Sequence, residues 1–323
     1  MHPVVMRAGE RTTPDAGTVA PPTLRVSVVT MAFNRPAALR ACLSSLAAQS
    51  LPRCDFEVVV VDVSASSVAS ILAEFATQLQ LVHHVVPNGG VAANRNAGAD
   101  RARGAVLAFL DDDCRADGEW LAHLVPLVEQ HRDALVAGRV VHDARHAALP
   151  AAGQVITDAV DAFFNPPGAP PRFLPGLNFA LNRDAYLALG GCDVRYGRLA
   201  AEDRDFVDRW RQAGGQLVRC PHTHVHHDHR SSLSGFVRQY VNYGRGAWRY
   251  HRARRVRRSG RMADDLRLHV GLPRYLPASL ARLPWPTRLP VLLLLGVWQV
   301  ANAAGFVWQA VADTLAPTRS GRN

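Results

Sequence analysis

The stretch that most constrains the fold is Ala105-Val-Leu-Ala-Phe-Leu-Asp-Asp-Asp113. An unbroken apolar run of this kind suits a strand buried on both faces, as in a parallel sheet covered by helices. It runs directly into three carboxylates, Asp111, Asp112 and Asp113. The C-terminal edge of such a sheet is where open α/β proteins bind their ligands. Oxygen donors clustered there suit a hard divalent cation, Mg²⁺ or Mn²⁺, often shared with a diphosphate. The bland alternative is a solvated acidic turn leading into the next helix, so the rest of the chain has to decide.

Residues 25–32 are apolar and β-branched and predict a first strand, ending at Phe33-Asn34-Arg35-Pro36, where Pro36 suits a first helical position. Leu39, Leu43 and Leu46 then recur at helical spacing. Phe56–Val61 predicts a second strand closed by Asp62, and Leu72, Phe75, Ala76 and Leu79 the apolar face of a second helix. A third strand over 81–86, the turn Asn88-Gly89-Gly90 and a helix over 91–102 lead into the 105–110 strand. This alternation predicts an α/β fold: a mostly parallel, Rossmann-like sheet flanked by helices. The glycines at 89, 90 and 98 do not form the G-x-G-x-x-G dinucleotide fingerprint.

Further on, a helix is expected over 119–130 and an apolar strand over 134–141. Residues 142–175, with six prolines and two glycines, predict an irregular loop over the ligand face. An apolar segment, 177–181, follows. Glu202-Asp203-Arg204-Asp205 opens a helix carrying Phe206, Val207 and Trp210. Acidic residues in a first turn are favoured by the helix dipole, and the functional alternative is a general base held at the mouth of the site. A short strand, 216–220, feeds a histidine-rich stretch over 222–229. If that stretch is extended, His227 and His229 share one face and His226 and Asp228 the other. No cysteines sit at zinc spacing around it, and His222 and His224 read as solvated. A helix is expected over 233–252, its aromatics reading as core.

Charge and cysteine usage narrow the setting. With 37 Lys+Arg against 27 Asp+Glu, the formal net charge is +10, and Arg252, Arg254, Arg255, Arg257, Arg258 and Arg261 crowd together. Such a run favours an anionic surface. No nucleic-acid recognition motif accompanies it, so a membrane is the expected partner and nucleic acid is not. The five cysteines contain no C-x-x-C pair, which fits reduced thiols in a reducing compartment. Residues 1–23 read as a disordered leader without a secretory signal, placing catalysis on the cytoplasmic side. Residues 24–252 read as the catalytic domain and 253–323 as a basic and apolar membrane-associated tail. Within the tail, 289–311 reaches the ~20 residues needed to cross a hydrocarbon core. Its amides Gln299, Asn302 and Gln309 leave a spanning helix, an interfacial helix and a helix packed on the domain all open.

Five segments, in this order and spacing, resemble glycosyltransferase family 2. They are Val26-Ser-Val-Val-Thr-Met-Ala-Phe-Asn-Arg35, Val58-Val-Val-Val-Asp62, Asn88-Gly-Gly-Val-Ala-Ala-Asn-Arg-Asn-Ala-Gly98, Phe109-Leu-Asp-Asp-Asp113 and Glu202-Asp-Arg-Asp205. The resemblance covers about residues 25–250 and implies a GT-A fold and an inverting sugar transfer from a nucleotide-sugar donor. It implies that Ala32, Asn34, Arg35 and Asp62 line the nucleotide, with Asp62 on the base or ribose. Arg95 would lie near the base or phosphates, and Asp112 and Glu202 would also contact substrate. Asp111 and Asp113 match the Asp-x-Asp motif that holds the divalent cation, His227 would complete the metal or diphosphate site, and Asp203 would be the catalytic base. The sequence departs from the family at Val63-Ser64-Ala65, where Asp, Asn or Gly-Ser is usual, and at Met31-Ala32.

The mechanism expected is a single displacement. The diphosphate leaves with its charge balanced by a cation, while Asp203 takes the proton from an acceptor hydroxyl attacking from the opposite face. A glycan or lipid-linked acceptor in envelope polysaccharide or glycolipid synthesis is expected. The alternatives are a catalytically silent sugar-nucleotide-binding scaffold and a nucleotidyltransferase, which would release pyrophosphate.

Overall fold

The computed structural model describes residues 24–142, 147–227 and 232–315. The expected leader, together with Asp228 and His229, lies outside them. β1 (Val26–Ala32), α1 (Pro36–Ala47), β2 (Phe56–Asp62), α2 (Ala69–Phe75), β3 (Leu81–Val85), α3 (Val91–Arg101) and β4 (Val106–Leu110) alternate as the periodicity requires. Next come β5 (Cys114–Ala116), α4 (Trp120–Gln130), β6 (Ala134–Val141), α5 (Ala148–Phe164), β7 (Asn178–Asn182), α6 (Arg183–Ala188), α7 (Glu202–Gln212) and β8 (Gln216–His227). The chain continues through α8 (Leu233–Arg257), α9 (Met262–Gly271), α10 (Leu276–Ala281) and α11 (Trp285–Leu315).

All eight strands form one sheet in the order β3-β2-β1-β4-β7-β6-β8-β5. β3, β2, β1 and β4 run parallel, β7 is antiparallel to β4 and β6, and β5 is antiparallel to β8. The sheet is therefore mixed, with its parallel part where the strand–helix alternation is regular. From β1 the chain steps one way to β2 and β3, and β4 then returns on the other side of β1. That reversal opens a crevice beyond the C-terminal ends of β1 and β4, the place where Asp111–Asp113 emerge.

Both faces of the parallel strands are buried, which is why those strands read as continuous apolar runs. Val58 and Val60 join one core cluster with Leu39, Leu43, Leu46 and Trp120, whereas Val59 and Val61 join another with Phe109, Tyr186 and Phe206. α3 packs close through Gly98, where an added Cβ would lie 2.3 Å from Val29 Cγ1 and 3.0 Å from Val61 Cγ2.

Two expectations need correction. The proline-rich 142–175 segment is not wholly irregular, because α5 spans seventeen of its residues. Pro150 sits in the first turn of α5, where proline costs no intrahelical bond, and the other prolines follow the helix. Val155, Ile156 and Ala159 give α5 its buried face. The domain boundary expected after 252 falls inside α8, which continues to Arg257. Nor is the tail detached in the described residues. Val291, Leu295, Trp298 and Ala301 of α11 share a third core cluster with α5 and with Phe236 and Tyr240 of α8.

Gly98→Val should therefore lower the unfolding free energy by about 1–3 kcal/mol, the cost of overpacking a close-packed contact. Urea denaturation of the two proteins measures the difference.

Candidate active site

The ends of β1 and β2 are tied together first. Asn34, at φ 53°, donates its backbone N–H to Ser64 Oγ at 3.1 Å, and its side-chain oxygen accepts from Ala65 N at 2.8 Å. Ser64 donates to the Ala32 carbonyl at 3.1 Å, so Ala32 serves through its backbone while its methyl group lies in the core. Asp62 is 2% exposed and accepts from Ser64 N at 3.0 Å, Val68 N at 3.2 Å and His83 Nε2 at 3.0 Å. Burial opposes its charge, but the bonds from His83 and the two amides outweigh that and hold the carboxyl below its usual range.

The three aspartates after β4 have separate surroundings. Asp112 is 1% exposed, accepts from Phe33 N at 3.2 Å, and is ion-paired with Arg35. Burial pushes its carboxyl up to about 7, with Arg35 opposing and Asp113 adding to the rise. Asp112 thus anchors the β1 loop from within. Arg35 reaches on to Asp113, bridging the two carboxylates from a half-exposed position. Asp113 also meets His227 Nε2 at 3.4 Å. Burial disfavours charge on that imidazole, but Asp113 and Asp111 raise its pKa. Asp111 is the most open of the three and accepts from Arg95 at 3.3 Å.

Arg95 lies inside the protein at 3% exposure, with one terminal nitrogen on Glu202 at 2.7 Å and the other on Asp111. Its pKa is raised: burial works against the charge, and Asp111 and Glu202 overcome it. Glu202 is buried too, and burial and Asp203 raise its pKa against the pull of Arg95. Arg95 thus links Glu202 to Asp111, and little of either Arg95 or Glu202 reaches the surface. Asp203 is more open. Its carboxylate accepts from Gly176 N at 3.1 Å and from Arg204 N at 2.7 Å. Gly176 fits between the two arms: a Cβ there would lie 2.8 Å from both Arg95 Nη1 and Asp203 Cβ. The structure thus joins Asp111, Arg95, Glu202 and Asp203 into one constellation.

The donors suit a hard cation. Ligand atoms of Asp113, Cys114 and His227 lie within 4.8 Å of one another. Burial lifts the Cys114 thiol well above its usual pKa, which weighs against a thiolate ligand there. That leaves carboxylate oxygen and imidazole nitrogen, a set that fits Mn²⁺ or Mg²⁺ better than a thiolate metal. On the other face of β8, His224 and His226 pair with Asp117 at 3.2 and 3.0 Å, and only His222 of the solvated pair is exposed.

Sequence reasoning missed His83, Gly176 and the left-handed Ala201 (φ 75°) that precedes Glu202. His83 stands in no motif, and its bond to Asp62 depends on β3 pairing with β2. Gly176 is one of many glycines, distinguished only by the tight contact it allows.

A mixed sheet whose carboxylates gather at the β1/β4 crevice defines the GT-A class of α/β proteins, and solved structures share the fold. The mannosyltransferase PcManGT from Pyrobaculum calidifontis, in complex with GDP-Man and Mn²⁺, superposes with a TM-score of 0.60 at 19% identity, covering 94% of this chain and 92% of that one. S. aureus TarS 1-349 gives 0.53 at 17% identity, covering 86% and 81%. In sequence, the profile described as Glycosyl transferase family 2 matches residues 27–158. The succinoglycan biosynthesis protein ExoM of Rhizobium meliloti is 30% identical over 234 residues, 69% of this chain and 74% of ExoM. The chain belongs to glycosyltransferase family 2. The glycosyltransferase AglE of Haloferax volcanii is 34% identical over 119 residues, so the match spans 36% of this chain and 39% of AglE.

Arg95→Met would leave Glu202 buried without its partner. Its unfolding free energy should fall by about 3–5 kcal/mol, measured by chemical denaturation.

Asp112 yields a pH signature. Its folded pKa of about 7 stands above the ordinary aspartate value of 3.8, so between the two the folded state holds a proton that the unfolded state has lost. Between those values its contribution to stability falls as pH rises. In EDTA, Asp112→Asn should gain stability relative to wild type as pH rises from about 4 to about 7. A difference between the two proteins that does not change with pH would contradict it.

Proposed function

We propose that the chain transfers a sugar from a nucleotide-sugar donor to an acceptor hydroxyl with inversion at the anomeric carbon. The observation that carries this reading is the placement of Asp203 beside the Asp111–Arg95 pair, in contact with Gly176 and, among the described residues, without an ion pair of its own. Asp203 takes the acceptor proton, and the amides of Gly176 and Arg204 aim its carboxylate. Asp62 and the loop knit by Asn34 and Ser64 hold the nucleoside. Asp111, Asp113 and His227 hold a divalent cation, which balances charge on the departing diphosphate. For Asp113 to do so, Arg35 swings aside, which its half-exposed position permits.

ExoM, named for succinoglycan biosynthesis, and the poly(ribitol-phosphate) glycosyltransferases among the relatives support a role in envelope polysaccharide synthesis. Haloferax volcanii also contributes a glucosyl-dolichyl phosphate glucuronosyltransferase at 29% identity over 217 residues, which supports a lipid-linked acceptor. Trp285–Leu315 is long and apolar enough to cross a membrane, and with the arginines it supports work at the cytoplasmic membrane face.

The test is Asp203→Asn. Donor binding in the presence of Mn²⁺, measured by calorimetry, should persist, while transfer falls by about 10²–10⁴-fold. Unchanged transfer would remove Asp203 from the chemistry, and release of pyrophosphate in place of nucleoside diphosphate would make the protein a nucleotidyltransferase.

A further inference from the structure

α11 has two faces of opposite kind. Thr287, Val291, Leu295, Trp298, Ala301, Gly305 and Gln309 are buried along its whole length, on one helical stripe. Leu289, Leu293, Val300, Val307 and Val311 form the opposite stripe and are half or more exposed. No ionisable residue occurs from Leu289 to Ala312. The outcome is a helix about 46 Å long whose outer face is apolar throughout and whose inner face is already occupied.

The inner face is fastened too closely to be released. A Cβ on Gly244 of α8 would lie 1.9 Å from the Asn302 carbonyl, and one on Gly305 would lie 2.0 Å from that of Val241. Gln299 bonds His269 at 2.7 Å, Gln309 accepts from Arg245 at 3.0 Å, and Trp248 donates to Asp313 at 3.1 Å. Two of the amides that make 289–311 a poor span by sequence are therefore ties to α8 and α9. Were α11 to cross a bilayer, it would either leave Val291, Leu295 and Trp298 unpacked or draw in α8, which carries seven arginines.

Building on the membrane association proposed above, we infer that α11 lies in the plane of an anionic bilayer surface, its outer stripe in the headgroup–acyl boundary, and does not span. Trp285 and Trp308 are exposed towards the two ends of the helix, the side chains preferred at that depth. Arg288 stacks over Trp285 at 5.5 Å and Arg245 over Trp308 at 4.8 Å, while Arg252 lies 65% exposed beside Asp313. Cations thus flank the apolar stripe at both ends, complementary to acidic lipid. A second copy of the chain is the poorer occupant, since it would bring a second net charge of +10 against the first.

The full-length chain tests this by flotation with vesicles of phosphatidylcholine alone or with phosphatidylglycerol. Flotation is expected only with the anionic lipid. Val300→Glu with Val307→Glu, both surface positions, should reduce it about tenfold with the melting temperature unchanged. Absence of flotation would overturn the membrane reading and this inference together. Orientation is read separately, in inverted membrane vesicles from expressing cells. Arg282→Cys and Ala312→Cys, exposed positions near the two ends of α11 and off its outer stripe, are each introduced into a Cys54→Ser background and probed with a membrane-impermeant maleimide. Both positions should react from the same side. Reaction of one and protection of the other would mean that α11 spans, overturning the inference while the membrane reading stands. A lipid-free dimer that the Val300→Glu, Val307→Glu protein cannot form would instead assign the stripe to a second copy.

Discussion

Arg95 is the point on which the candidate site depends. A guanidinium in the interior is tolerable only when its charge is matched at close range, and here Asp111 and Glu202 supply the match from two distant parts of the chain. The pairing fixes three elements at once. It holds the end of β4 against α3, draws the first turn of α7 to the same place, and leaves room for nothing larger than the hydrogen of Gly176 between Arg95 and Asp203. The cost of burying so much charge is met by mutual satisfaction. Asp111 and Asp203, at the edge of this pairing, stay more exposed than Arg95 and Glu202.

Topology supplies the crevice in which these groups meet. Because β4 returns beside β1 after the chain has gone out to β3, the loops that follow β1 and β4 diverge. Phe33, Asn34 and Arg35 come from one side and Asp111 to Asp113 from the other. The Phe33 amide and Arg35 both land on Asp112, so the buried middle aspartate stitches the crevice shut at its base. Its two neighbours take separate partners, Asp111 bonding Arg95 and Asp113 meeting Arg35 and His227. Three consecutive aspartates are therefore not three equivalent ligands.

Much of this was legible from the sequence because it is local. The strands show as apolar runs, the carboxylates stand at strand and helix ends, and five ordered motifs suffice for the family. Relations between elements were not legible. His83 bonds Asp62 through a strand pairing that no local pattern announces. Asp112 reads like its two neighbours until its burial and its bonds to Phe33 and Arg35 are known. α5 was hidden because its prolines were counted together, whereas only Pro150 lies within it, at the one end where proline is harmless. The break expected after 252 followed a change in charge, but α8 carries its arginines on through that point to Arg257.

α8 also explains why the C-terminal helices belong with the catalytic fold. On one side, Gly244 and Val241 meet the backbone of α11. On the other, a Cβ at Gly246 would lie 2.0 Å from the Ala200 carbonyl. Ala200 is followed by Ala201, held in a left-handed conformation that a non-glycine residue adopts only when its surroundings enforce it. Those surroundings include Tyr250 of α8, packed with Tyr196 against Ala201. The next two residues are Glu202 and Asp203. One helix thus contacts α11 on one face and the strained start of α7 on the other, so Asp203 and the apolar outer stripe are parts of one packed unit.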